Sequence, residues 1–366
     1  MTHTSRPDPT GPGAPGRGPA GRGAPGRRKR SRARTALLVC ACVLAVALLA
    51  GGGLAAFAYI KLSGNLSSVD LDAKLGTDRP ADADNGSLDI LVLGSDSRSG
   101  ANAKYGREGG ARSDTAMVVH LYQDRTKASV VSIPRDTLVS RPSCAGEDGT
   151  AVPAATRVMF NSAYAVGGPA CAVKTVEAMT GLRMDHFVEV DFTGFKKLVD
   201  GLGGVEVTTT EAIHDRDSHL DLAAGTHTLD GEQALGLVRT RHGIGDGSDL
   251  GRIGLQQTFV KALLDQVRDL GLLSSPTKLY GLADTATSAL TTDKGLASIP
   301  ELMGLATSLK SLSAGNLAMV TLPVTADPAD PNRVVPLPAE SAQVWKALKT
   351  DAPLPASATD PPTPAR

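Results

Sequence analysis

Aromatic side chains are scarce in this 366-residue chain: one Trp, five Tyr and six Phe, 3% in all. Proteins that hold single-stranded nucleic acid stack its bases on aromatic rings, so that class is disfavoured from the outset. Cysteine is rarer still, with four residues and no Cys-x-x-Cys pair or Cys/His cluster, which removes structural zinc. The seven histidines show no metal-ligand spacing. There is no Gly-x-Ser-x-Gly elbow, no P-loop and no glycine-rich dinucleotide fingerprint set between a strand and a helix. Nor is there an internal repeat.

Net charge is also lacking, with 38 basic and 38 acidic residues, but the zero hides a division. The first 34 residues carry nine basic side chains against one acid, Asp8, and are otherwise rich in Gly and Pro. Such a segment cannot bury a core and is expected to be a disordered basic tail. Residues 35–366 therefore hold eight excess negative charges. An acidic body with few aromatics is a poor nucleic-acid binder.

Between the two lies an uncharged apolar run, Thr35 to Ile60, "TALLVCACVLAVALLAGGGLAAFAYI". As a helix it reaches roughly 39 Å, more than the roughly 30 Å of a bilayer core. The basic block before it and the single Lys61 after it predict a single-pass anchor, N-terminus cytoplasmic and the remainder extracytoplasmic. A cleaved signal peptide is the rival, because "GGGLAA" is built of small residues; the length of the run favours the anchor. Cys40 and Cys42 fall inside the span as apolar fillers. Cys144 and Cys171 fall in the outer part, where a disulfide persists, and closing that loop is worth about 3 kcal/mol.

Residues 61–86 are polar and loosely periodic and are expected to form a stalk. From Leu88 short β-rich runs alternate with helical ones. "LDILVLG", "TAMVVHLY", "ASVVSI", "HFVEVDF", "VEVT" and "NLAMVTLPV" are expected strands. "PACAVKTVEAMTGL", "TGFKKLVDGLGG", "DGEQALGLVRT" with Asp230 as its cap, and "DLGRIGLQQTFVKALLDQVRDLG" are expected helices. The alternation predicts an α/β domain of α-β-α layers with a central mixed sheet over 87–351. Residues 352–366 are expected to be a disordered tail.

Arginines and aspartates recur at the ends of these elements. Asp96 and Arg98 follow the first strand, Arg112 and Asp114 precede the second, and Arg135 and Asp136 follow the third. Neighbouring strands would bring Asp96 and Asp114 to one sheet edge, a donor set suited to Mg2+, which takes one or two carboxylates plus phosphate oxygens. Arg239 and Arg241 share a face if the backbone there is extended. Asp249, Arg252 and Gln256 share a helix face, with Ile253, Val260 and Leu264 opposite. Each group also has a plainer reading as turn residues, a surface pair or a solvated helix face. Arginine forks match phosphate oxygens, and a cluster of them on an acidic extracytoplasmic body points to local recognition of a phosphorylated substrate. His120 and His186 lie in strand-like runs as structural residues, and His242 beside Arg241 is a candidate acid.

Six segments in order behind one span, "ILVLGSDSR", "RSDTAMVVHL", "VVSIPRDTLV", "FNSAYAVGG", "VEVDFTGFKKLVDGLGGVEV" and "LDGEQALGLVRTRH…SDLGRIGLQQ", resemble the LytR-CpsA-Psr family of bacterial cell-wall enzymes. The resemblance covers about Leu88 to Leu270 well and the region to Asp351 loosely. It implies a Mg2+-dependent phosphotransferase that moves a glycopolymer from a polyprenyl-pyrophosphate carrier to a muramic-acid hydroxyl of peptidoglycan. Asp96 and Asp114 would hold Mg2+. Arg98, Arg112, Arg135, Arg239, Arg241 and Arg252 would clamp the pyrophosphate, Gln256 would line the site and Asp249 would support the arginines or the metal. The lipid would lie in an apolar pocket between sheet and helices, and Asp114 or Asp136 would take the acceptor's proton.

Two positions depart from the family pattern. Leu255 stands where an arginine often precedes the paired glutamines, and Met159–Phe160 stand where a lysine often precedes the asparagine equivalent to Asn161. Two other functions use the same features: a lipid-carrier pyrophosphatase with water as acceptor, and a non-enzymatic membrane-bound regulator or wall-binding module.

Overall fold

The computed structural model describes residues 32–96, 113–146, 148–241, 249–270 and 275–359. Arg98, Arg112 and His242 lie outside them. The chain divides into two units, Met1–Ala55 and Ala56–Arg366. The described part of the first is the beginning of one long helix, α1 (Arg32–Asn65). Its residues from Cys40 to Asn65 are long and apolar enough to cross a membrane. Leu44, Leu48 and Leu54 lie exposed on it, as lipid-facing side chains do.

In chain order the second unit contains β1 (Ser67–Val69), α2 (Leu71–Leu75), β2 (Leu88–Ser95), β3 (Ser113–Leu121), β4 (Ala128–Ser132), β5 (Leu138–Arg141), β6 (Cys144–Ala145), β7 (Ala151–Val152) and β8 (Ala155–Met159). Then come α3 (Phe160–Thr180), β9 (His186–Asp191), α4 (Phe192–Gly201), β10 (Val205–Thr209), β11 (Ile213–Asp215), β12 (Leu220–Leu222), β13 (Gly225–Leu229), α5 (Gly231–Arg239) and α6 (Asp249–Asp269). The unit ends with α7 (Pro276–Ala289), β14 (Leu290–Asp293), α8 (Ile299–Ser308), β15 (Leu317–Thr321), β16 (Val324–Ala326), β17 (Val334–Pro336), α9 (Pro338–Lys349) and α10 (Ala356–Thr359).

Seven strands form the central sheet in the order β1-β14-β9-β2-β3-β4-β15. It is mixed, as expected: β2 pairs antiparallel with β3 and parallel with β9, while β4 pairs antiparallel with β3 and parallel with β15. Period-two alternation sorts its side chains onto two faces. Leu91, Leu93, Ala116, Val118, Val131 and Val320 join the core under α2, α3 and α9. Ile90, Met117, Leu121, Val130 and Leu317 face the other way, in a cluster fringed by half-buried Val260, Leu264 and Leu305 of α6 and α8. Helices on both faces complete the three-layer α/β architecture.

A second apolar cluster, with Val205, Val207, Ile213, Leu229, Leu237 and Phe259 among its members, joins β10–β13 to α4, α5 and α6. The two shorter helices at its edge, α4 and α5, are each capped by an aspartate. Asp191 accepts from Gly194 N–H, and Asp230 forms a reciprocal capping box with Gln233.

Three expectations change. Residues 61–86 are not a detached stalk: β1 pairs with β14, and Leu71 and Leu75, one helical turn apart, are buried in the main core. Residues 352–359 are not a disordered tail, because Leu354 and Ala358 pack against that core and Tyr122 Oη donates to the Ala352 carbonyl. Buried His120 also fixes this end, with Asp89 at 2.8 Å on one ring nitrogen and Asp351 at 3.0 Å on the other. Burial lowers its pKa, but the two carboxylates outweigh that and raise it. Finally, α3 starts at Phe160 rather than at Pro169. Gly167 and Gly168 depart from helical backbone just before Pro169, so two helical pieces meet at a kink.

A Cβ on Gly167 would meet the Ala145 carbonyl oxygen at 2.7 Å, so β6 lies directly against the kink. Cys144 and Cys171 are bonded there across a sequence separation of 27, as expected. Reduction, or Cys144→Ser, is expected to lower unfolding free energy by about 3 kcal/mol, measured by denaturant titration with and without reductant.

Candidate active site

The site begins with an irregularity in the ladder. Ser95 pairs with Ser113 and Gly94 with Thr115, so Asp114 is an extra residue with no partner on β2. A bulge of this kind re-aims a side chain and bends the strand end. It puts Asp114 within one rung of Asp96, which follows Ser95 and is buried. The two residues thus lie at the same end of neighbouring strands.

Arg135 follows β4, where Pro134 ends the strand. Its Nη1 donates to Asp114 Oδ1 at 2.5 Å. Its Nε lies 3.5 Å from Asp136 Oδ2 and 3.7 Å from Asp249 Oδ1, and is buried without a hydrogen-bond acceptor. The main chain here is fixed by α3, since Asn161 N–H donates to the Arg135 carbonyl and Phe160 N–H to that of Thr137. Three carboxylates from three segments thus surround one guanidinium.

Helix α6 supplies the next layer. Asp249 and Arg252, one turn apart, form an ion pair, and Arg252 Nη2 donates to the Asp114 carbonyl at 3.2 Å. Gln256 Nε2 donates to Thr115 Oγ1 and to the Val238 carbonyl, each at 3.0 Å, tying α6 to β3 and to α5. Arg252 and Gln256 are both buried, so the charged face of α6 is no solvated surface. Asp249 Oδ2 is buried without a hydrogen bond, while Oδ1 faces Arg252.

Arg239 is the last residue of α5 and Arg241 lies just beyond it. Between them Thr240 is buried, bonding the Gly236 carbonyl and Ser218 Oγ. Asp215 of β11 accepts from the Arg241 N–H at 2.9 Å, which pins the segment to the second apolar cluster. The Arg239 guanidinium stacks 4.8 Å from the Phe192 ring. The Arg241 guanidinium is half-buried and makes no ion pair among the described residues.

The titration pattern follows. Burial pushes the Asp114 carboxyl up, but Arg135, with Arg252 and Arg241, outweighs it and holds the group below the ordinary carboxylate range. Burial lowers Arg252 to about 10, opposed by Asp249 and reinforced by Arg241 and Arg135. Arg241 is lowered by burial and then by Arg135, against weaker support from Asp114, Asp249 and Asp136. All remain charged at neutral pH, so positive charge is crowded here.

No group of three or more His, Cys, Asp or Glu side chains suited to a metal occurs among the described residues. A site with one or two carboxylates fits Mg2+, whose remaining positions go to water and phosphate, and the all-oxygen pair of Asp96 and Asp114 has the right chemistry.

The model of the LytR_cpsA_psr family matches residues 58–350. The chain belongs to this family. It is 33% identical over 309 residues to the cell wall biosynthesis protein LcpA of Corynebacterium glutamicum, covering 77% of this chain and 58% of that one. It is 31% identical over 298 residues to the polyisoprenyl-teichoic acid–peptidoglycan teichoic acid transferase TagT of Bacillus subtilis, covering 78% and 86%. A solved structure of TagT bound to LI-WTA superposes with a TM-score of 0.55 at 28% identity, covering 76% of this chain and 95% of that one.

The family departures have physical settings. Leu255 packs half-buried against the second apolar cluster. Phe160 is buried in the main core. Sequence reasoning missed Thr115, Asp215 and Arg333, whose Nη1 approaches Asp136 Oδ1 at 3.6 Å. Only Asp215, in "IHDRD", could have drawn notice as one more acid.

Arg135 and Arg241 should behave oppositely in stability. Arg135→Ala strands Asp114 and is expected to cost about 1–3 kcal/mol. Arg241→Gln relieves like-charge crowding and is expected to leave the melting temperature unchanged or raised. Because Asp114 titrates below its unfolded value, its contribution is present above about pH 4 and is lost as pH falls through its folded pKa. Thermal melts of both variants across pH 3–7 check this.

Proposed function

We propose that this protein is a Mg2+-dependent phosphotransferase of the cell wall. It would take a glycopolymer from a polyprenyl-pyrophosphate carrier and attach it to a hydroxyl of peptidoglycan through a phosphodiester. The observation that carries this reading is the crowding of the Arg135, Arg241 and Arg252 guanidiniums, with Arg241 in no ion pair among the described residues. A pyrophosphate supplies an anion for Arg241 and further acceptors for its neighbours, and guanidinium forks fit its oxygens. The transferase name of TagT and the LI-WTA bound in its structure support the same substrate class. Apolar side chains left half-buried between the sheet and α6 and α8 suit a prenyl chain. The apolar helix in α1 suits single-pass anchoring, with the N-terminus cytoplasmic and the Ala56–Arg366 unit outside.

In this reading the acceptor hydroxyl attacks the phosphorus that carries the sugar. A new P–O bond forms and the bond to the leaving polyprenyl phosphate breaks. Arg135, Arg241 and Arg252 bind the phosphates and stabilise the charge that grows on the leaving group. Asp249 holds Arg252 in place. Asp114, kept ionised by its arginine neighbours, orients Arg135, and the hydroxyl proton leaves with the polyprenyl phosphate. Asp96 and Asp114 would hold the Mg2+, which when bound supplies Lewis-acid neutralisation of phosphate charge.

Full-length protein in detergent, given a polyprenyl-pyrophosphate saccharide, peptidoglycan fragments and Mg2+, is expected to release polyprenyl phosphate and form a polymer–glycan adduct. Arg241→Ala is expected to slow this about 100-fold or more, and chelation of the metal to abolish it. Phosphate release without an adduct would instead identify a pyrophosphatase, and unchanged rates in Arg241→Ala would remove the residue assignment.

A further inference from the structure

The β16–β17 hairpin lies beside the site but belongs to none of the sequence motifs. It is held there from both ends. Val334 N–H donates to the Asp136 carbonyl at 3.4 Å, and Thr137 pairs with Val334 in a parallel bridge. On the other side Arg157 Nη2 donates to both oxygens of buried Asp327, at 3.0 and 2.9 Å. The turn is closed by Asp327 N–H to the Arg333 carbonyl and Arg333 N–H to the Asp330 carbonyl, both 2.9 Å. This frame delivers one cation to the site, Arg333, whose Nη1 reaches within 3.6 Å of Asp136 Oδ1.

Asp136 therefore sits between two guanidiniums: Arg333 faces Oδ1, and Arg135 Nε faces Oδ2 at 3.5 Å. Arg135 Nε is buried with no acceptor, although Asp136 is near enough to become one by a small rotation. An unmet buried donor beside a carboxylate persists only if something restrains the carboxylate. Arg333 is the group on its opposite oxygen.

We infer that Arg333 is a positioning residue: it holds Asp136 back from Arg135 Nε, and so keeps the Arg135 guanidinium turned toward Asp114 and available to the substrate phosphate. The inference rests on the pyrophosphate reading above. Without Arg333, Asp136 closes on Arg135 Nε and draws the guanidinium away. Neutralising Asp136 in the same chain removes that pull, so a second substitution repairs the first.

The test is calorimetric binding of inorganic pyrophosphate with Mg2+ to the full-length protein in detergent. Arg333→Ala is expected to weaken binding about tenfold, and Arg333→Ala with Asp136→Asn to return it to within about threefold of the original chain, as coupled neighbours do. Arg333→Lys is expected to retain most of the affinity. Rescue is the discriminating readout, because a residue that merely folds the hairpin would not be repaired at Asp136. Should the alanine form fail to fold, Arg333→Gln takes its place under the same criteria. Original affinity in the single variant, or a double variant as weak as the single, overturns the inference alone. Absence of pyrophosphate binding by the unsubstituted protein overturns the reading of the site and the inference with it.

Discussion

Everything in the site depends on keeping several guanidiniums close together without an anion already spent on each. Arg135 is the point where this is managed. Asp114 takes one of its nitrogens directly, while Asp136 and Asp249 stand near Nε without hydrogen-bonding it. Like charges so near each other repel, and the depressed pKa values of Arg241 and Arg252 record that repulsion together with burial. The fold offsets this cost with carboxylates that restrain the arginines yet leave room for a ligand. Sites that store electrostatic strain in this way are preorganised for charge that arrives with the substrate.

Each layer of structure contributes one restraint. The bulge at Asp114 turns a strand residue into the carboxylate that meets Arg135. The first turn of α3 fixes the main chain at 135–137, and the kink at Gly167–Gly168 lets that helix lie against the disulfide-bonded β6. The second apolar cluster positions α5, and Thr240, just past its end, is buried between Arg239 and Arg241. Gln256 then ties α6 to both the sheet and α5.

Much of this was legible in the sequence, because strand and helix periods were clean and the charged residues clustered at element ends. The strands from Leu88 onward, the capped helices α4 and α5 and the long α6 all follow from local pattern. Other features depended on tertiary contact. Leu71 and Leu75 look like sparse apolar residues in a polar stretch until β1 joins the sheet. Leu354 and Ala358 sit in a Pro-rich tail whose local composition argues for disorder, yet the main core holds them. A one-residue bulge leaves no mark in the amino-acid pattern. Arg333 lies in a Pro/Asp-rich loop where only the pairing of Thr137 with Val334 reveals its neighbour. Leu255 was visible as a departure, and its packing against the second apolar cluster explains why an apolar side chain is at home there.

The most direct measurement is a crystal structure of the protein with a short-chain prenyl diphosphate and Mn2+, the metal located by its anomalous signal. The phosphates are expected against Arg135, Arg241 and Arg252, with the metal peak at Asp96 and Asp114 and the prenyl chain entering between the sheet and α6. A diphosphate bound elsewhere, with these guanidiniums still facing only their own carboxylates, would contradict the proposal that crowded arginine charge is the substrate site.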